Sequence, residues 1–175
     1  MAEAGNTESQ RYLTLTLGGE LFALDIFAVR EILDYSDITR IPQTPASMRG
    51  VVNVRGNAVP VVDLGLKLGL GEVARTIHTR IVIMEVSHDG QTSLMGALAD
   101  SVKEVLDLSA DTMAPPPKLG ASVDAGCLKG ITNHGGRFIL HLDMDRVFST
   151  DEIHDLSGLL AEGGPGAEAE AGAVA

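Results

Sequence analysis

Two stretches of this sequence are written twice. Gly50-Val51-Val52-Asn53 returns as Gly130-Ile131-Thr132-Asn133, 80 positions later. The match continues through Gly56 and Gly136, Val59 and Ile139, and Asp63 and Asp143. A shorter piece, Val29-Arg30-Glu31-Ile32-Leu33, returns as Val102-Lys103-Glu104-Val105-Leu106 at a spacing of 73, which also relates Pro42 to Pro115. Asn, Gly and Asp held at one spacing across a turn constrain the fold more than any single segment does, because chance similarity between two hairpins would not preserve that spacing. Two copies of a strand–strand–loop–hairpin unit follow. Roughly ten short strands in about 150 residues suit two similar small β-barrels better than one sandwich.

The segments between the repeats carry the same β pattern. Leu13, Leu15 and Leu17 alternate with Thr14 and Thr16, the period of a half-buried strand. Gly18-Gly19 reaches the positive φ of a hairpin turn, and Phe22, Leu24 and Ile26 alternate again, so residues 12–26 read as a hairpin. Residues 50–55 and 58–64 read as strands around a Gly56-Asn57 turn. Gly65 to Arg75 reads as a loop or short helix forming a flexible connection between the halves. Ile81 to Met84 is apolar on both faces, and Asp89-Gly90 marks another hairpin. Residues 128–133 and 137–143 flank a Gly135-Gly136 turn. Ser149 and Glu152 match a capping box ahead of Ile153, Leu156, Leu159 and Leu160, which predicts a C-terminal helix. Residues 1–10 read as a flexible arm, 11–161 as one folded domain, and 162–175 as a disordered acidic Ala/Gly tail.

Composition narrows the function. The chain carries 13 Lys and Arg against 24 Asp and Glu, a net charge of −11. Eight of those acids lie in residues 1–10 and 151–175, which hold no base, so residues 11–150 carry 16 acids against 13 bases, a net of −3. A nearly balanced body with no Trp offers neither the field nor the stacking platform for nucleic acid. Cys127 is the sole cysteine, which excludes a disulfide framework and fits a reducing compartment. The start Met1-Ala2-Glu3 lacks a secretory leader, and no run approaches the roughly 20 apolar residues of a membrane span. A soluble, intracellular protein is expected.

No catalytic constellation emerges. His78, His88, His134, His141 and His154 have no metal-ligand spacing, and His134 and His141, which flank one hairpin, have no evident third ligand. Cys127 reads as a small packed residue. Lys67 precedes Gly69 and Gly71, the reverse of a phosphate loop. Asp34/Asp37 and Asp143/Asp145 have nothing to make them acid–base couples. No catalytic residue, metal or cofactor is expected; a binding module is favoured, and a small β-barrel enzyme is the alternative.

At this point the sequence resembles the chemotaxis coupling protein family, CheW. The resemblance runs from about Tyr12 to Leu160, through Phe22-Ala23-Leu24-Asp25-Ile26, Val29-Arg30-Glu31-Ile32, Gly50-Val51-Val52-Asn53-Val54-Arg55-Gly56 and Val59-Pro60-Val61-Val62-Asp63-Leu64. It implies a mainly β fold of two intertwined five-stranded SH3-like barrels sharing an apolar seam, with a C-terminal helix. It also implies a non-enzymatic, cytoplasmic adaptor joining methyl-accepting chemoreceptors to the regulatory domain of the histidine kinase CheA and helping assemble receptor arrays, without inserting into the membrane. A coupling protein of a non-flagellar chemosensory system is the nearest variant. The family often carries Arg where this chain has Gly65.

Arg55 is the leading candidate for receptor binding. It is the sole charge between Arg49 and Asp63, and the matching position of the second copy is Gly135, so the hairpin folds without it. Its guanidinium suits carboxylates or carbonyls of a partner, or an internal pair with Glu31. The resemblance adds Glu31, Val29, Asn53 and Gly56 to the receptor face. Each has a competing structural role, since Glu104, Val102, Asn133 and Gly136 repeat them. The resemblance also points the 114–125 loop, with Leu119, at a lateral neighbour in the array.

Overall fold

The computed structural model describes residues 9–88, 90–115 and 125–148. The N-terminal arm, Leu119, the expected helix after Ser149 and the acidic tail therefore lie outside the described residues. Those described form ten strands: β1 Ser9–Leu17, β2 Glu20–Asp25, β3 Val29–Asp34, β4 Met48–Val54, β5 Asn57–Asp63, β6 Arg80–His88, β7 Gln91–Ala99, β8 Ser101–Ser109, β9 Leu128–His134 and β10 Arg137–Leu142. Two one-turn helices follow the repeated aspartates, α1 Leu64–Lys67 and α2 Met144–Val147.

The strands divide into two five-stranded sheets, ordered β8-β1-β2-β10-β9 and β3-β6-β7-β5-β4. The second sheet is contiguous in sequence. The first is built from both ends of the chain, with the whole second sheet inserted between β2 and β8. The sheets correspond pair by pair. Leu13 lies between Leu24 and Val105, as Val82 lies between Ala97 and Ile32. The parallel pair His141 with Ala23 is matched by Val61 with Gly96. The two written repeats map β3 onto β8 and β4–β5 onto β9–β10; the remaining match, β1–β2 onto β6–β7, left no readable trace in sequence.

Each sheet is rolled by the same device. After β3 the chain crosses to the far edge strand, where Thr39 and Val51 exchange backbone hydrogen bonds of 2.9 and 2.8 Å. After β8, Ala114 and Ile131 do the same at 2.8 and 2.9 Å. The repeated glycines lie at these crossings. A Cβ on Gly50 would stand 2.2 Å from the Thr39 carbonyl oxygen, and one on Gly130 2.6 Å from that of Ala114. Gly50 also has a φ of +143°. The bridging chain needs the space a side chain would take.

The core runs across both sheets. Leu13, Leu15, Leu17, Phe22 and Leu24 of the first sheet pack in one buried cluster with Val61, Ile81, Ile83 and Leu98 of the second. A smaller cluster of Tyr12, Ala23, Leu108 and Ile139 fills the interior of the first barrel. β1 therefore has apolar neighbours on both sides. The alternation of Leu with Thr predicts a half-buried strand, but Thr14 is as buried as the leucines. The Thr14 hydroxyl donates to the Glu104 carbonyl (2.6 Å) and accepts from the Glu104 N–H (3.1 Å), which removes the cost of burying it.

Two expectations are corrected. The segment from Gly65 to Arg75 does not connect the halves; it joins β5 to β6 within one barrel. It is also tied down rather than loose: the buried Asp63 carboxylate accepts from the N–H groups of Leu66 and Val73, both at 3.0 Å. The second correction concerns the turn after β4. The register pairs Val54 with Asn57, so the turn is Arg55-Gly56, not Gly56-Asn57, and Arg55 sits in the turn rather than in a strand.

Candidate functional site

The Arg55-Gly56 turn has φ of +53° and +87°. Two successive positive angles are the type I′ pattern, which matches the twist of the flanking strands. Gly135 and Gly136 adopt +63° and +82° in the matching hairpin. In both turns the conserved geometry is secured from the strand end. Asn53 Oδ1 accepts from the Gly56 N–H at 2.7 Å, and Asn133 Oδ1 from the Gly136 N–H at 3.1 Å. Asn53 and Gly56 thus have a structural job shared by both barrels.

Arg55 is the exception within this shared plan. An L-residue at such a φ is strained by about 1–2 kcal/mol where glycine is not. Its side chain is 80% exposed, and its guanidinium lies 3.5 Å from the Glu31 carboxylate. Glu31 belongs to β3 and Arg55 follows β4, the two edges of one sheet, so the pair meets only because that sheet is rolled. The pairing of β3 with β6 slips between Val29 and Glu31, an irregularity of the kind that re-aims side chains. The equivalent slip separates Leu13 from Leu15, opposite β8. Val29 is half-buried and packs against the shared core. The structure thus gathers Val29, Glu31, Asn53, Arg55 and Gly56 at one edge of the second barrel.

Sequence reasoning passed over two further charged groups in the second barrel. Arg30 on β3 pairs with Glu85 on β6. At the end of the β4–β5 hairpin away from the turn, Arg49 lies 2.7 Å from the fully buried Asp63, 3.4 Å from Glu72 and 3.3 Å from the Val73 carbonyl oxygen. Asp63 also caps α1 through the Leu66 N–H, as Asp143 caps α2 through the Asp145 N–H at 3.2 Å. The repeated Asp was the readable signal for a cap; among the described residues the Arg49 pair has no counterpart, since Lys129 occupies the matching position and is exposed. Gly65 has its own reason: a Cβ there would stand 2.2 Å from the Gly71 carbonyl oxygen, so this loop leaves no room for an arginine.

The histidines and the cysteine weighed for chemistry have distinct surroundings. His134 is exposed, whereas His141 is buried with Nε2 2.7 Å from the Thr132 hydroxyl. Burial, and then the nearby Lys129 charge, lower the His141 pKa to about 4, so the imidazole is neutral at physiological pH. Cys127 is buried, with Sγ 4.0 Å from the Arg146 carbonyl oxygen. Among the described residues no helix is long and apolar enough to cross a membrane.

The paired barrels and the repeated hairpin are matched elsewhere. The CheW-like domain family model aligns with residues 11–152. The chain belongs to the CheW-like domain family. It is 33% identical to the chemotaxis protein CheW of Klebsiella aerogenes over 150 residues, covering 86% of this chain and 88% of that one. It is 28% identical to the chemotaxis protein CheW of Treponema pallidum over 156 residues, 89% of this chain and 92% of the relative. The crystal structure of the scaffolding protein TtCheW from Thermoanaerobacter tengcongensis superimposes with a TM-score of 0.72 at 30% identity, covering 82% of this chain and 90% of that one. As a CheW-like domain, the described chain is a mainly β protein of two intertwined SH3-like barrels, in a family of chemotaxis coupling and scaffolding proteins.

Proposed function

We propose that this chain is a non-enzymatic cytoplasmic adaptor that joins the cytoplasmic tips of chemoreceptors to the histidine kinase CheA and helps build the receptor array. The observation that carries this reading is the conformation of Arg55. The fold would be served better by glycine there, as the Gly135 hairpin illustrates. The exposed contact with Glu31 returns at most about 1 kcal/mol, no more than the backbone strain removes. An arginine kept at a position where it does not help the fold, with most of its side chain in solvent, suits recognition of a partner.

On this reading a helix of the receptor tip lies across Arg55, Glu31 and Val29. Asn53 and Gly56 present the turn, and Arg55 leaves Glu31 for a carboxylate or carbonyl of the receptor. The regulatory domain of CheA docks elsewhere, and Leu119 faces a lateral neighbour, so both partners are held together. A change in receptor packing then shifts the conformational equilibrium of the kinase through a stiff connector.

The test is a pull-down with receptor-tip and CheA fragments, using Arg55→Ala and Arg55→Gly. Receptor capture should fall in both, kinase capture should persist, and the melting temperature should hold in Arg55→Ala and hold or rise in Arg55→Gly. Unchanged receptor capture with a large loss of stability would reduce Arg55 to a structural residue.

A further inference from the structure

The correspondence between the barrels gives the Arg55 edge a twin. Applying the pair-by-pair match, Glu31, Arg30 and Leu33 correspond to Glu104, Lys103 and Leu106, Arg55 to Gly135, and Asn57 to Arg137. In the first barrel these residues, with Leu21 and Thr14, line an open cleft of about 580 Å³. Its charges are arranged differently from those of its twin. There, Arg55 and Arg30 are both neutralised, by Glu31 and Glu85. Here, Lys103 and Arg137 are exposed and make no ion pair among the described residues; Arg137 donates only to the Gly19 carbonyl oxygen, at 3.3 Å. Two cations against the single carboxylate of Glu104 leave the cleft net positive, in a chain whose net charge is −11.

The rim is also bare. A Cβ on Gly135 or Gly136 would meet nothing within 4 Å, where the twin carries the long side chain of Arg55. Half-buried Leu21 and Leu106 give the same cleft an apolar lining beside the two cations. We propose that this cleft is a second docking site, independent of Arg55, for an acidic peptide segment of a partner protein. The apolar residues of that segment would cover Leu21 and Leu106, and its carboxylates would pair with Lys103 and Arg137. Charge complementarity selects an acidic occupant, the apolar lining selects a peptide with an apolar face over a bare anion, and the bare rim admits its backbone.

The test is an NMR titration of the full chain with a synthetic amphipathic peptide bearing Leu on one face and Glu on the other. Its Gln counterpart and phosphatidylglycerol vesicles serve as separate arms. The Glu peptide should shift the amides of Leu21, Lys103, Leu106 and Gly135 saturably. Charge reversal by Lys103→Glu with Arg137→Glu should weaken it at least about tenfold, and Glu104→Gln should tighten it. The Gln peptide should bind less tightly, and Arg55→Ala should change nothing. Both reversed side chains are exposed, so an unchanged melting temperature shows that the fold is retained. Shifts centred on residues 29–31 and 53–56, shifts that do not saturate, equal binding of the Gln peptide, or perturbation of the cleft by vesicles alone would each overturn the proposal.

Discussion

At the scale of single residues, Arg49 and His141 each mark a place where the two barrels differ. Arg49 holds Asp63 in place under the loop that follows α1, and the pair is almost wholly removed from solvent. Replacing Arg49 with Met strands a buried carboxylate, and should lower unfolding free energy by about 3–5 kcal/mol in a denaturant titration. A loss below about 1 kcal/mol would rank the pair with surface bridges. His141 occupies the place of Val61, and its partner Thr132 the place of Val52. Nδ1 of His141 has no hydrogen-bond partner among the described residues, and the ring meets Tyr12 edge-on at 4.7 Å. Because its folded pKa of about 4 lies below the ordinary 6.5, the unfolded chain binds the proton first. Its contribution is whole above pH 6.5 and is lost as the pH falls toward 4, on the order of 3 kcal/mol. Melting measured across that window should show this slope, and the double change His141→Val with Thr132→Val, which copies the other barrel, should flatten it. An unaltered slope in the double variant would assign the acid sensitivity to other groups.

At the scale of elements, the repeated glycines divide into two kinds. Gly56 and Gly136 need only a positive φ, with open space around them, while Gly50 and Gly130 face a carbonyl oxygen of the crossing chain. Alanine at Gly56 should cost about 1 kcal/mol, the strain of the turn alone. Alanine at Gly50 adds a clash with backbone that cannot swing aside, and should cost about 3 kcal/mol or more. Thermal melts of the two variants decide it, and equal costs would mean that the Thr39 crossing yields easily. β1 and β2 were legible because a period of two is written plainly in them, and β9 and β10 because they flank a Gly-Gly turn and repeat β4 and β5. The turn after β4 was misplaced by one residue because Gly-Asn and Arg-Gly both lie between the same strands. The choice came from the Asn53 side-chain Oδ1 accepting from the Gly56 N–H, a contact that exists only once the register is set.

At the scale of the whole molecule, interleaving makes the barrels one cooperative unit. β1 and β6 are equivalent strands, and each is buried on both faces between a barrel interior and the seam. A cavity at Leu15 therefore belongs to both barrels. Leu15→Ala should cost about 2–5 kcal/mol and lower a single transition seen alike by amide probes in both sheets. Separate midpoints for the two sheets would refute this coupling. The charge distribution acts at the same scale: with eight of the eleven net negative charges at the ends, the barrels present mixed charge and apolar surface, which suits protein partners.

The sequence by itself determined the β class, the two copies, the repeated Asn, Gly and Asp positions and the standing of Arg55 as a charge its twin hairpin lacks. All of these are local: they depend on alternation along a strand or on spacing across a few residues. The tertiary structure alone decided which strands share a barrel, that Thr14 is buried, that Arg49 grips Asp63, and that Arg55 meets Glu31. It also assembled the cleft of Lys103, Arg137 and Leu21 from three separate stretches of chain. The physical reason is the rolling of each sheet. Its edges meet across a crossing strand that needs a glycine beneath it, so residues distant in sequence become neighbours through a closure that no local period records.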